Sequence, residues 1–317
     1  MEFGKPENPA LIDWSLAPDT DLTNHVLEGL SPPLCEGQRT KPNTAPHIYL
    51  GSTSWGDKEY VGPVYPPKTK AKEFLEAYGK QFNTIELNTT FYRMPKADQT
   101  AAWADKVPSD FRFCPKVNKL LSQSKNLGVG TNRIEEYCEG VRGFGENLGP
   151  CFIQLPTHFD TSKFEALLAF LDQWPSDVRL AVELRHASWF TESRGADLFA
   201  ELFARGHGTT ISDVGTRRDV AHMNITTDFF LLRWVGSLHS TDQERLAEWS
   251  AKLASWISGG LTQAYVFTHQ VVAPEAAKAA SSFEDMLRAH YPAPLNVRSP
   301  EIRTNQGPQN EQIELFG

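Results

Sequence analysis

Ala181-Val182-Glu183-Leu184-Arg185-His186 is the stretch that decides how this chain folds. Val182 and Leu184 are apolar, and the charged Glu183 and Arg185 alternate with them. Successive side chains of a strand point to opposite faces, so Val182 and Leu184 pack against helices while the charges aim the other way. A helix candidate over 161–173 precedes this run and another over 195–205 follows it. Short strands separated by helices of about ten or more residues mark βαβ crossovers and a parallel sheet. The same texture continues in both directions, from 47 to 291. Strand candidates cover 47–51, 84–88, 111–116, 151–155, 180–185, 209–212, 229–234 and 264–268. Helix candidates cover 68–82, 98–106, 131–144, 161–173, 195–205, 242–258 and 275–290. The expectation is an α/β fold, a (β/α)8 TIM-type barrel. A doubly wound open sheet would want a Gly-rich phosphate turn after its first strand, and Gly51-Ser52-Thr53-Ser54-Trp55-Gly56 lacks the GxGxxG spacing.

The flanks read differently. Residues 1–46 are rich in turn formers and form an N-terminal extension, with one short helix over 21–30 where Asp21, Thr23 and Asn24 offer caps before Val26, Leu27 and Leu30. Residues 292–317 carry Pro, Asn and Gln with little apolar periodicity and read as a flexible tail. The 317 residues include 31 basic and 39 acidic ones, for a formal net charge of -8. That balance argues against broad adhesion to duplex nucleic acid or anionic lipid, while leaving room for a local basic pocket. No apolar run approaches the roughly 20 residues of a membrane helix, and residues 1–10 lack a basic region followed by an apolar core, so the expected location is cytoplasmic. Cys35, Cys114, Cys138 and Cys151 are too few for a disulfide scaffold and too far apart in sequence for a zinc-ligand pair.

A barrel of this kind carries its active site at the C-terminal ends of its strands. The period-two phase aims Glu86, Asn88, Lys116, Gln154, Glu183, Arg185 and Arg233 into that mouth, with Asp213, His186 and His269 also at strand ends. Buried lone charges are costly, so these groups pair, meet water or hold a ligand. The plain alternative is a charge-matched plug closing one end of the barrel. Lys116, Arg185 and Arg233 suit a phosphate or carboxylate. Glu86 and Glu183 supply general acid and base if their environments separate their pKa values, assisted by Asp213 and His269. Glu183, Asp213, His186 and His269 also offer carboxylate and imidazole to a divalent metal, a weak signal because no HxH or HExxH spacing supports it and nearby cations oppose the metal's charge. His158, His207 and His222 fall in loops and read as surface or capping residues. Trp55, Tyr92 and Trp189 either wall a pocket for a flat ring or sugar or pack in the core.

Several segments together resemble one family. Thr84-Ile85-Glu86-Leu87-Asn88-Thr89-Thr90-Phe91-Tyr92, Phe111-Arg112-Phe113-Cys114-Pro115-Lys116, Phe152-Ile153-Gln154-Leu155-Pro156 and Val182-Glu183-Leu184-Arg185-His186 resemble signature segments of the YecE-like family, a domain-of-unknown-function family (number 72). Ser52-Thr53-Ser54-Trp55, Tyr65-Pro66, Ser188-Trp189-Phe190 and Ser212-Asp213 match in order, so the resemblance spans roughly 47–291. Where many members carry a His-Gly pair after the seventh strand and Asn-rich ends on the eighth, this chain has Arg233-Trp234-Val235-Gly236 and Thr268-His269-Gln270, which looks like the YecE branch itself. The resemblance implies a TIM-type barrel and no established reaction, so function rests on the site.

The segment Gln312-Ile313-Glu314-Leu315-Phe316 looks like the Gln-aliphatic-x-Leu-Phe peptide by which bacterial proteins dock on the replication sliding clamp. Ile313, Leu315 and Phe316 would be apolar anchors and Gln312 a hydrogen-bonding group. The alternative is a tail that folds back on its own barrel. Three functions stay open at this point: a hydrolase or lyase acting on a phosphate-containing substrate such as a nucleotide or nucleic acid, a glycoside hydrolase using Glu86 and Glu183 with Trp55 and Trp189 as sugar platforms, and a non-catalytic ligand-binding or adaptor barrel tethered through its tail.

Overall fold

Eight parallel strands, β1 (His47–Ser52), β2 (Thr84–Leu87), β3 (Arg112–Pro115), β4 (Cys151–Gln154), β5 (Leu180–Glu183), β6 (Gly208–Asp213), β7 (Phe229–Val235) and β8 (Gln263–His269), run in the spatial order β3-β2-β1-β8-β7-β6-β5-β4. The computed structural model describes residues 6–30 and 45–303. The remaining seam, between β3 and β4, is held by bridges at Phe113–Leu148 and Lys116–Phe152, so the barrel is nearly closed. The expected TIM-type architecture is the one observed, with strand limits within two residues of those read from the sequence.

The alternation that predicted the strands also sorts the core into two clusters. One lies inside the ring: Tyr49, Cys114, Phe152, Ala181, Phe229, Leu231, Tyr265 and Phe267. The other lies between strands and helices and includes Ile48, Leu50, Ile85, Ile153, Val182, Ile211, Leu232 and Val266. Neighbouring positions on a strand thus serve different layers, as a barrel filled by stacked side-chain layers requires.

Helices α1 (Asp21–Leu30), α2 (Phe74–Gln81), α3 (Ala97–Ala104), α4 (Arg133–Arg142), α5 (Phe164–Gln173), α6 (Ser193–Ala204), α7 (Thr241–Ser258) and α8 (Ala273–His290) complete the body. Seven of them follow strands in sequence. Between β6 and β7 the described chain has only the 3-10 turn Arg218–Val220, and α1 from the N-terminal extension takes the vacant position. His25 meets Phe203 at the end of α6 with ring centroids 5.8 Å apart. Asp19, just before α1, accepts from Lys252 and Trp256 of α7 at 3.1 and 3.0 Å. Thr23 donates to the Met223 carbonyl (2.6 Å) and accepts from the Ile225 amide (2.8 Å), tying α1 to the β6–β7 loop. The extension is therefore part of the barrel wall.

The second flank also differs from expectation. The sequence pattern puts the tail from 292, yet β9 (Asn296–Arg298) pairs in parallel with β1 through Asn296–His47, Val297–Ile48 and Arg298–Tyr49. It wedges between β1 and β2 at the N-terminal end of the barrel, where those strands diverge before Gly51 meets Thr84. Beside the wedge, the Asn83 side chain imitates a strand backbone, accepting from the Leu50 amide (2.7 Å) and donating to the Ile48 carbonyl (2.9 Å). Asn296-Val297-Arg298 has too few residues to show periodicity, which is why it reads as linker. Residues 312–316, with the clamp-like peptide, lie outside the described residues.

Candidate functional site

The top layer of the barrel interior gathers one inward residue from almost every strand. Period two carries Glu86 of β2, Gln154 of β4, Glu183 of β5, Ser212 of β6, Arg233 of β7 and His269 of β8 to the same level, with Lys116 directly after β3. Arg233 sits at the centre. Its Nε and Nη2 donate to Glu86 Oε2 and Oε1 (2.9 and 3.1 Å), and its Nη1 donates to both oxygens of Glu183 (3.0 and 3.1 Å). All three groups are almost wholly buried, at 4%, 0% and 1% exposure. Around them Asn88 donates to Glu86 (3.0 Å), His269 Nε2 meets Glu86 Oε2 (2.8 Å), and Ser212 donates to Glu183 (2.9 Å). Gln154 donates through Nε2 to both Glu183 oxygens (2.9 Å each) and accepts from Lys116 Nζ through Oε1 (2.9 Å).

The electrostatics follow from this packing. Burial alone would push Glu86 up, but the Arg233 charge and the His269 hydrogen bond hold its carboxyl well below the usual range. Burial likewise opposes ionisation of Glu183, and Arg233, Lys116 and Arg185 outweigh it, so this carboxyl is also lowered. Arg233 is raised, because its two carboxylates overcome the cost of burial. Lys116 goes the other way. Burial and the neighbouring Arg233 lower it to about 8, against the opposing pull of Glu86 and Glu183. Its ammonium lies 4.8 Å from the Phe91 ring centroid and 5.8 Å from that of Phe152.

Other expected site residues are placed apart from this cluster. Asp213 is the outward neighbour of the inward Ser212. Its carboxylate is taken by Arg218, by Arg245 Nη2 at 2.9 Å and by Trp249 Nε1 at 2.8 Å, in the layer between β6 and α7. Arg245 is held there between the Trp14 and Trp234 rings, 3.9 and 4.8 Å away. Asp213 thus anchors the N-terminal extension, and a role beside Glu86 is corrected by strand parity. His186 Nδ1 meets the Ser188 hydroxyl at 2.8 Å in the loop after β5. Trp189 is buried in the core with Nε1 donating to the Phe159 carbonyl (2.7 Å), and Trp55 packs edge-on against Trp103 and Phe113. Tyr92 is 66% exposed at the rim, where its ring meets Phe91 edge-on. Arg185, partly buried, is lowered by burial and lies in the field of Glu183, Arg233 and Arg217. His207 and His222 are buried rather than at the surface, although His222 Nδ1 does cap the Asn224 amide (3.2 Å). Among the described residues no three His, Cys, Asp or Glu side chains converge as a metal would need. Ser212 was missed by the sequence reading, although the period-two phase of its own strand marks it as inward; Phe152 carried no signal beyond its apolarity.

This layer bears directly on the chemistry considered above. A glycosidase needs one carboxylic acid with a raised pKa beside an ionised partner. Here both glutamates grip one guanidinium and both are held ionised, while the two tryptophans face other surroundings. The loops after β7 and β8, where many TIM barrels seat a phosphate, are filled from within. Asp242 accepts from the Ser237 amide (2.9 Å), the Ser237 hydroxyl (2.8 Å), the Leu238 amide (2.9 Å) and Arg245 (3.1 Å). A carboxylate of the protein already occupies that anion seat; among the described residues, Lys116 and Arg185 are cations on the β3 to β5 side of the mouth.

Fold and site together define a TIM-type barrel whose strand ends converge on a buried, charge-matched layer. The family model described as "Protein of unknown function DUF72" matches residues 49–304, and the chain belongs to that family. It is 28% identical over 265 residues to UPF0759 protein YecE of Escherichia coli K12, covering 77% of this chain and 94% of that protein. It is also 28% identical over 151 residues to UPF0759 protein YunF of Bacillus subtilis, covering 45% and 52%. Crystal structures of DUF72 family proteins from Enterococcus faecalis (TM-score 0.62, 19% identity, 77% of this chain and 98% of that one) and Thermotoga maritima (TM-score 0.58, 24% identity, 76% and 99%) share the fold. No helix among the described residues is long and apolar enough to cross a membrane.

Proposed function

We propose that the barrel mouth is an active site for a small phosphate-containing substrate, such as a nucleotide or a nucleic-acid end, cleaved by hydrolysis or elimination. The observation that carries this reading is the unequal treatment of Arg233 and Lys116. Arg233 is consumed by two bidentate carboxylate contacts, whereas the ammonium of Lys116 is met by the neutral amide of Gln154. A plug built for stability alone would pair every charge or use Val and Ile, since a buried ion pair contributes little net stability. Lys116 and Arg185 then supply the anion seat, and the ionised Glu86 and Glu183 act as bases rather than acids. Net charge confines nucleic acid to what enters the mouth.

Isothermal titration with orthophosphate, AMP, ribose 5-phosphate and a short oligonucleotide tests this. At least one phosphate ester binds, and Arg185→Met weakens it by roughly tenfold (about 1.4 kcal/mol). If none of the four binds, or Arg185→Met leaves the affinity unchanged, the phosphate reading fails.

A second reading concerns the segment 312–316. Its Gln-Ile-Glu-Leu-Phe sequence supports docking on a bacterial sliding clamp, with the barrel as tethered cargo.

A further inference from the structure

Lys116 sits where the barrel seam closes. It follows β3 directly, bridges to Phe152 of β4, and reaches the mouth with 8% of its surface exposed. Among the described residues no carboxylate lies within ion-pair distance of it. Glu183 is reached only through Gln154, whose amide turns its oxygen to Lys116 and its nitrogen to the carboxylate. The charged groups facing Lys116 are Arg233 from β7, Arg185 beyond β5, Glu86 from β2 and Glu183 from β5. Arg233 pairs with both glutamates at close range, so their pull on the Nζ proton is outweighed by burial and by the Arg233 charge itself. The rings of Phe91 and Phe152 favour an ammonium. Burial outweighs them, and the amine is lowered to about 8. Lysines desolvated in this way beside another cation are nucleophilic amines.

We infer that Lys116 is the nucleophile of the mouth, an amine that condenses with the carbonyl carbon of a phosphate-bearing aldehyde or ketone to form a Schiff base. The inference rests on the anion-site reading for the phosphate, with Arg185 as the cation facing it once Lys116 reacts as the neutral amine, and on Lys116 alone for the covalent step. The Nζ lone pair forms a bond to the carbonyl carbon, the C–O bond breaks, and the oxygen leaves as water with the two amine protons. No oxidant or reductant is consumed. The imine draws electrons from the adjacent carbon, and the ionised glutamates are bases available for the elimination that follows.

The test treats the full chain with glycolaldehyde phosphate, or with glycolaldehyde, in the presence of cyanoborohydride, which reduces any imine to a stable secondary amine. Modified lysines are located by peptide mass spectrometry between pH 6 and 10. At pH 7.5 the neutral fraction of Lys116 is about a hundredfold that of an ordinary lysine. Labelling at position 116 should exceed that of surface lysines by roughly tenfold or more, with a midpoint near pH 8. Lys116→Arg should lose the adduct and retain its circular dichroism spectrum. Equal labelling by the two aldehydes, with the excess at Lys116 retained, keeps the amine and removes the phosphate seat. Labelling spread over surface lysines with no excess at 116, or a midpoint above pH 10, overturns the inference; because it is read on the wild-type protein, a variant that failed to fold would not rescue it.

Discussion

Replacing Arg233 with methionine isolates what the central guanidinium does. The side chain makes four hydrogen bonds to two carboxylates that are at most 1% exposed. Removing one partner of a buried pair costs about 3–5 kcal/mol because the other charge is stranded. Arg233→Met strands two, leaving Glu86 with Asn88 and His269, and Glu183 with Gln154 and Ser212. The pH dependence then changes sign. In the native protein both carboxyls lie below their unfolded values, so they contribute stability above about pH 4.3 that is lost as pH falls through the folded values. In the variant, burial and mutual repulsion raise them above the unfolded values. Their penalty is then full at neutral pH and relieved as pH falls toward 4.3. Urea denaturation followed by tryptophan fluorescence should give a deficit of about 3–5 kcal/mol at pH 7.5, shrinking by about 2 kcal/mol or more at pH 4.5. Adding Glu86→Gln and Glu183→Gln to Arg233→Met should recover most of it. A deficit below about 1 kcal/mol at pH 7.5, or one that does not change with pH, refutes the reasoning.

Thr23→Val keeps the shape of a fully buried side chain but removes both hydrogen bonds to the β6–β7 loop; it should cost about 2–4 kcal/mol in denaturant midpoints, and a neutral result would mean that α1 does not complete the wall. His222 is lowered to about 4 by burial between Phe190 and Phe199, so it stays neutral in the fold. Stability should fall by up to about 3 kcal/mol as pH drops from 6.5 to 4, and an NMR titration showing His222 protonated at pH 6 would contradict this. A peptide covering 308–317 should bind a bacterial sliding clamp in fluorescence anisotropy and lose binding on Phe316→Ala; no binding of either peptide removes the adaptor reading.

How much of this was legible in the sequence depends on the range over which each feature acts. Strand alternation is local, so Glu86, Lys116, Gln154, Glu183 and Arg233 could be placed inside the ring from Ala181-Val182-Glu183 and its counterparts. The same parity, followed one residue further, separates Ser212 from Asp213; the sequence reading takes Asp213 for the mouth and passes over Ser212. The position of α1 was not legible, because its partners Met223, Ile225 and Trp256 lie some two hundred residues away and no local pattern encodes that contact. The absence of a helix candidate between 212 and 229 was the one hint that something else must fill that place. Charge balance suggested both a plug and a site. Both features stand in the structure, with Arg233 locked between glutamates and Lys116 met by an amide.

The central claim is that the strand-end layer receives a ligand, and arginine side-chain NMR addresses it most directly. With 15N-labelled arginine, the Nε–H resonances of Arg185 and Arg233 report on the mouth, while Arg179, paired with Gln263 and Asp228 at the opposite end, serves as the internal control. On titration with ribose 5-phosphate or AMP, the Arg185 and Arg233 signals should move together and saturate while Arg179 stays fixed. If both ligands leave Arg185 and Arg233 unmoved, or shift all arginines alike, the layer is a plug and the account of the site is wrong.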